Sequence, residues 1–328
     1  MKQTTALSRR LAVFCLAGIA SLTFSIAAFA AYPDKPIKMI VPWPPGGASD
    51  LVARAYSKRL AERLGQPIVI DNRAGAAGMI GTDAAVKAAP DGYTLVWIAD
   101  SYLVSPHVSP STVKYDPRKD FTDVGLVGML PFVMVVNTEK NGGNLLQFID
   151  KAKKAPGMMT YSSWGIGSAS HLSMELFMTQ TGIKMNHIPY QGAAPATTAV
   201  IGGQVDTLLV PLPVALPHHR GGKAQILGVA SPRRFAGASD LPTLAEQGVA
   251  ATLGSWMAVL GPAKMPADVV TRLATEMAAI SEEPEMRETL VKMGVDPTHS
   301  SPQELSKMVA SEFERWGRVV REAKVEIK

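Results

Sequence analysis

At 328 residues, with a formal charge of +5 and one cysteine, the chain can bury a large core in two domains but cannot hold a disulfide framework. The charge is front-loaded: Lys2, Arg9 and Arg10 meet no acid within the first thirty residues, so the remainder carries about +2 (5 − 3). That near-neutral remainder has no basic run able to track a nucleic-acid backbone, which argues against nucleic-acid binding.

Residues 1–30 read as a signal peptide. A basic start precedes the apolar stretch 11–26, and Ala28, Phe29 and Ala30 form an A-x-A site that predicts cleavage after Ala30 and export to the periplasm. The apolar stretch is short for a membrane anchor. Cys15 follows Phe14 rather than a small residue, so it makes no lipobox. It leaves with the signal, and the mature chain then has no thiol nucleophile, disulfide or cysteine metal ligand.

The mature chain opens with a strand at 37–41, followed by VPWPPGGASD over residues 41–50. Prolines stop the strand, Gly46 and Gly47 free the backbone, and Ser49 or Asp50 can cap the helix expected over 51–64. Such a turn points free N–H groups and a positive helix end at open space, which suits an anion. A strand at 67–70 leads into a second glycine turn, NRAGAAGMIG over 72–81, and a helix to residue 89. A third strand is expected at 93–99. Residues 100–120, with Pro106, Pro110 and Pro117, read as irregular.

An apolar strand at 125–137 carries the chain into a second domain, where the alternation repeats. The expected order is a helix at 145–154, a strand at 159–162, the turn SWGIGSAS over 163–170, and a helix to residue 181. A strand at 184–188, the turn PYQGAAP over 189–195, a helix to 201, and strands at 205–210 and 224–230 complete it. A strand at 253–260 and helices near 266–280, 284–293 and 302–322 return the chain to the first domain. Domain 1 is thus 31–131 plus 252–328, and domain 2 is 132–251. Strand–turn–helix alternation makes both lobes doubly wound α/β, mostly parallel, with turns gathered at the strands' carboxyl ends. Two crossings between such lobes make a hinge over a cleft.

Several chemistries compete for these turns. None matches G-x-G-x-x-G, so a dinucleotide site is weakly supported and no cofactor is expected. Ser168 and His171 could serve an exported hydrolase, but no G-x-S-x-G elbow surrounds them, and Ser168 is better placed as a helix cap or ligand donor. His171 and Glu175 share a helix face, yet without further spaced ligands they do not define a metal site. Trp43, Tyr102 and Trp164 occupy expected cleft turns and could wall a flat apolar ligand, though aromatics commonly pack in cores.

One family is resembled along almost the whole mature chain. The carriers are YPxKP at 32–36, IVPWPPGG at 40–47 with Asp50, NRxGAxG at 72–78 and APDGYTL at 89–95. Gly167 and Ser168 with His171, PYxG at 189–192 with Pro195, GQVD at 203–206 and LPTLAExG at 241–248 follow in order. Together they resemble the receptors of tripartite tricarboxylate transporters, the Bug solute-binding proteins. The resemblance implies a two-lobed periplasmic binding protein of Venus-flytrap type that hands a small carboxylate to the membrane subunits of such a transporter, as a monomer and not as an enzyme. It also implies that the ligand is held by backbone amides, hydroxyls and waters rather than by an arginine clamp.

Carried onto this sequence, the first-lobe anchors are Gly46, Gly47, Ala48, Ser49 and Asp50, with Gly75, Ala76, Ala77 and Gly78 opposite. The second lobe closes with Ser163, Ser168, Gln191, Gly192, Ala193 and Asp206, and Ser101, Gly167 and His171 join them. The family often has a small residue at Trp164 and a polar one soon after Asp206, where this chain is apolar. That departure suggests an aromatic dicarboxylate of terephthalate type. Citrate-like aliphatic carboxylates are the rival ligand, and a sensory role is the rival use.

Overall fold

In the computed structural model, which describes residues 32–251 and 253–322, regular elements follow one another with short glycine- and proline-rich joints. The signal peptide and its cleavage site lie outside the described residues. From Lys35 onward the described chain packs as one unit. The first half holds β1 (Ile37–Val41), α1 (Ala48–Leu64), β2 (Ile68–Asn72), α2 (Met79–Val86), β3 (Thr94–Ala99) and α3 (Ser101–Val108). β4 (Phe121–Asn137) leads to α4 (Leu145–Lys154), β5 (Thr160–Ser163), α5 (Ala169–Thr181), β6 (Asn186–Pro189) and α6 (Ala193–Ile201). Then come β7 (Thr207–Pro211), α7 (Leu212–Arg220), β8 (Ala224–Val229), β9 (Gly254–Pro262), α8 (Ala267–Ser281), α9 (Pro284–Lys292), β10 (Asp296–Pro297) and α10 (Pro302–Glu322).

The sheet is mixed rather than mostly parallel. β1 pairs in parallel with β2 and β3, and β5 with β6 and β7. The long strands run the other way: β9 is antiparallel to β3 and β4, and β4 is antiparallel to β7, β8 and β10. Strand–helix alternation predicts parallel pairs only for strands joined by a crossover helix, whereas β4 and β9 run antiparallel to all of their partners.

β4 changes partners in mid-course. Residues 121–131 pair with β9, and 132–137 pair with β7 and β8. At the changeover, Phe132 donates to the Leu253 carbonyl (3.2 Å), Leu253 to Ala230 (3.0 Å) and Ala230 back to Phe132 (2.8 Å). β8 and β9 thus lie almost in line beside β4, and two neighbouring strands join the halves.

Beyond the changeover, side chains of β4 alternate between two cores, as a pleated strand buried on both faces requires. Phe132, Met134 and Val136 pack with Leu145, Phe148, Met174 and Phe177 of α4 and α5. Val133 and Val135 pack with Ala196 and Val200 of α6 and Leu212 and Ala215 of α7. In the first half, Val96, Ile98, Trp256 and Leu260 meet Leu103 of α3 and Leu305, Val309 and Trp316 of α10.

Helices α3 and α7 were not expected, because Pro106 and Pro217 lie inside them. Proline deprives the carbonyl four residues earlier of its helical donor. For Pro106 that carbonyl is Tyr102, and the Tyr115 hydroxyl supplies the missing hydrogen bond (3.1 Å). α1 stops at Gly65, whose left-handed backbone (φ +72°) donates to the Ala61 carbonyl.

Candidate functional site

Parallel pairing sets the carboxyl ends of β1 and β2 side by side, and likewise those of β5 and β6. The glycine turns leave from these ends, and α1, α2, α5 and α6 begin where the turns finish. Three of the starts have glycine caps with no capping side chain: Gly47 for α1, Gly78 for α2 and Gly192 for α6. Their first-turn amides therefore lack a side-chain acceptor. The Ser49 hydroxyl, in the first turn of α1, is buried without a hydrogen-bond partner among the described residues.

The first turn is braced from inside. Asp50 is only 1% exposed, and its carboxylate accepts from the Gly46 amide (2.9 Å), Arg54 Nε (2.9 Å) and Asn72 Nδ2 (2.8 Å). Asn72 also donates to the Trp43 carbonyl (3.0 Å) and accepts from Arg54 Nη2 (2.9 Å). Burial pushes the Asp50 carboxyl up, but the hydrogen bonds from Arg54, Gly46 and Asn72 outweigh it and hold the group at about 2. With its oxygens committed to the turn, Asp50 shapes the anchor and does not face a ligand. The bracing partners Arg54 and Asn72 escaped the sequence reading, although Asp50 and Arg54 stand at the i, i+4 spacing that favours such a pair.

The second turn lies against the first. A Cβ on Gly78 would stand 3.4 Å from Pro42 and 3.9 Å from the Trp43 ring, and one on Gly81 would be 2.9 Å from the Arg73 carbonyl oxygen and Pro42 Cα. Glycine permits this approach and, at Gly75 (φ +130°) and Gly78 (φ +92°), the backbone path as well. Ala76 takes a left-handed conformation too (φ +47°).

The three aromatic candidates separate. Trp43 is half-buried beside the second turn, and Trp164 is half-buried with its ring edge-on to Phe132 at 5.7 Å. Tyr102 is not a wall residue: it is 2% exposed, packed edge-on against Phe121 (5.5 Å) and Trp256 (5.9 Å). The reason is the unexpected helix α3, which turns Tyr102 into the core while Ser101 stays half-buried at the helix start.

In the second half, Ser168 caps α5 by accepting from the His171 backbone N–H (3.3 Å). His171 is 6% exposed and lies beneath the turn, with its Nδ1 accepting from the Gly167 amide (3.1 Å). Ser168 and the His171 ring are therefore not paired as nucleophile and base. Ser163 is fully buried; its hydroxyl lies 2.6 Å from His187 Nε2, a residue the sequence reading missed because only the tertiary fold brings β6 there. Gln191 is exposed, and Gly192 and Ala193 are half-buried at the start of α6.

Asp206 stands at the wrong end of its strand. It precedes β7, level with Thr160 at the start of β5, whereas the turns leave from the opposite end. Its carboxylate accepts from the Thr160 amide (2.8 Å), Thr160 Oγ1 (2.9 Å) and Asn141 Nδ2 (3.0 Å), and pairs with Lys140 (3.0 Å). It staples that edge and is removed from the candidate site.

These half-sheets, joined by two strands with glycine turns at their carboxyl ends, make a two-lobed solute-binding protein of the periplasmic type. The tripartite tricarboxylate transporter family receptor profile matches residues 52–325, and the chain belongs to that family. It is 36% identical over 300 residues to protein BugT of Bordetella pertussis, covering 90% of this chain and 92% of that one. A solved periplasmic transporter superposes with a TM-score of 0.76 at 34% identity, covering 91% of this chain and all of the other. Rpa4515 of R. palustris, solved with adipate, also gives 0.76, at 32% identity, over 90% of this chain and 99% of that one. MatC from Rhodopseudomonas palustris, solved with malate, gives 0.70 at 28% identity, over 88% of this chain and all of that one. The chain is thus a periplasmic solute-binding receptor, not an enzyme, of a family that binds small carboxylates and works with a tripartite transporter.

Proposed function

We propose that the receptor captures a dicarboxylate between its lobes and presents it to the membrane subunits of its transporter as a monomer. The observation that carries this is the set of glycine-capped helix starts. Amides without side-chain acceptors, beside the unpartnered Ser49 hydroxyl, suit a carboxylate at the positive ends of helices. Gly47, Ala48 and Ser49, with Gly75, Ala76 and Ala77 opposite, would hold one carboxylate. The Ser168 hydroxyl, whose own hydrogen is free to donate while it caps α5, and the start of α6 from Gln191 to Ala193 would hold the other. We place the lobe boundaries where β4 and the β8–β9 line change partners, at 131/132 and 251/252.

The ligand body lies against Trp43 and Trp164. With Tyr102 in the core, the aromatic wall is smaller than the sequence suggests. The relatives solved with adipate and malate favour an aliphatic dicarboxylate over one of terephthalate type. Trp164, against the hinge residue Phe132, still supports the aromatic alternative.

A thermal-shift series with adipate, malate, citrate and terephthalate separates these readings. A ligand at about a hundred times its Kd stabilises by about 2.7 kcal/mol. A shift with aliphatic diacids alone supports the first reading, and one with terephthalate alone supports the second. Binding must be stoichiometric and leave the ligand chemically intact. The absence of any shift would overturn carboxylate capture, and Ser49→Ala should weaken the best ligand about tenfold.

A further inference from the structure

Beneath the second-lobe turn lies a cluster that capture of a ligand does not by itself explain. The rings of His171 on α5 and His187 on β6 stack at 4.0 Å, only 8° from parallel. Tyr161 on β5 stacks on His187 at 4.8 Å, and its hydroxyl bonds to Glu175. Each histidine reaches up to the turn. His171 Nδ1 accepts from the Gly167 amide, and His187 Nε2 meets the Ser163 hydroxyl, which also accepts from the Gly165 amide (3.2 Å).

We propose that His171 and His187 are positioning residues for ligand capture, holding the turn from Ser163 to Ser168 in its receiving shape while the His171 ring is neutral. The ligand arm of this proposal rests on the carboxylate-binding reading above.

The geometry decides the protonation state. Because Nδ1 accepts from Gly167, the ring proton of neutral His171 sits on Nε2, which lies 3.7 Å from Glu175 Oε1. A second proton must go to Nδ1, where it would face the Gly167 N–H with two hydrogens and no acceptor. The amide must then move, and Gly167 (φ +76°) immediately precedes the Ser168 cap. Glu175 and Tyr161 are the titratable side chains facing the pair. The Glu175 carboxyl is itself raised by burial, although the Tyr161 hydrogen bond opposes the rise. Burial and, for His171, the neighbouring His187 push both rings down to about 4. The turn therefore keeps its shape at neutral pH and loosens in acid.

The test uses protein purified after export. His171→Asn keeps an acceptor near the Nδ1 position that cannot take a proton. Calorimetric affinities for adipate, malate and terephthalate are measured from pH 7.5 to 3.5, each protein normalised to its own value at pH 7.5. Titration of the ligand's carboxyls affects both proteins equally and cancels. For a ring titrating near 4, wild type should lose about twofold more than His171→Asn at pH 4 and about fourfold more at pH 3.5. Parallel losses would overturn the proposal.

Ligand-free protein supplies an independent arm. The Gly167 amide resonance should move with the midpoint of the His171 ring in wild type and stay fixed in His171→Asn. His187→Ala should raise that midpoint toward the ordinary histidine value. A Gly167 amide that stays still while the ring titrates, or a midpoint indifferent to His187→Ala, would also overturn it. If no carboxylate binds at pH 7.5, carboxylate capture fails, and the ligand-free arm still decides the role of the stack.

Discussion

Asp50 shows how one residue converts a flexible sequence into a fixed anchor. Its carboxylate ties a turn amide, a helix arginine and the asparagine that ends the neighbouring strand. Asp50→Asn weakens charge-assisted hydrogen bonds at a buried position and should cost about 1–3 kcal/mol, visible as a Tm several degrees lower at pH 7. The sign with pH follows from a folded value near 2 against an ordinary carboxyl near 4. The contribution is complete above about pH 4 and disappears as pH falls toward 2. Melts of wild type and Asp50→Asn should therefore converge in acid. From sequence, Asp50 could be assigned to the turn but not to its inside, because whether a carboxylate faces a ligand or its own loop depends on Asn72, which arrives from another strand. Asp206 shows the same limit: its motif was legible, but its end of the strand was not.

Among the elements, the glycine-to-helix junctions were the easiest to read, since Gly46, Gly75, Gly78 and Gly192 take backbone angles that other residues avoid. The end of α1 at left-handed Gly65 follows the same chemistry, and the start of α5 follows side-chain capping by Ser168. Helices α3 and α7 were hidden because their internal prolines argue locally against a helix, whereas a distant hydroxyl, that of Tyr115, repairs the gap in α3. The join of α2 to the first turn gives a direct test. Gly81→Ala places a methyl group 2.9 Å from the backbone of Arg73 and Pro42, so the two turns must separate. The expected cost is about 1–3 kcal/mol in stability, with weaker binding of the ligand that stabilises wild type. Calorimetry and denaturant unfolding of the same variant measure both. Unchanged stability would show that the turns are not in fixed contact.

At the scale of the whole molecule, the alternation of strands and helices announced two α/β lobes, while the antiparallel strands that join them lay beyond local pattern. Those joining strands bring Asp100, at the end of β3, against Ser255 at the start of β9, where the Ser255 hydroxyl bonds its carboxylate. Burial raises the Asp100 carboxyl to about 7 against the opposing pull of that hydrogen bond. A raised acid binds its proton more tightly in the folded state, so its contribution to stability declines as pH rises from about 4 to 7 and is level above. His171 and His187, lowered in the fold, contribute the opposite slope, with stability growing from about pH 4 to 6.5. In wild type one carboxyl opposes two histidines, so Asp100 cancels only part of their rise. Asp100→Asn should remove the first and leave a stability that rises with pH across that window, as measured by urea unfolding at stepped pH.

On the proposed reading, the glycine caps also govern what remains when the cleft empties. A pocket built around a buried arginine is left, on unloading, with a cation stripped of its partner, and the departing ligand must overcome that penalty. Here Arg54 is paired with Asp50 inside the turn itself, and amides need only water to replace what leaves. Unloading therefore strands no charge.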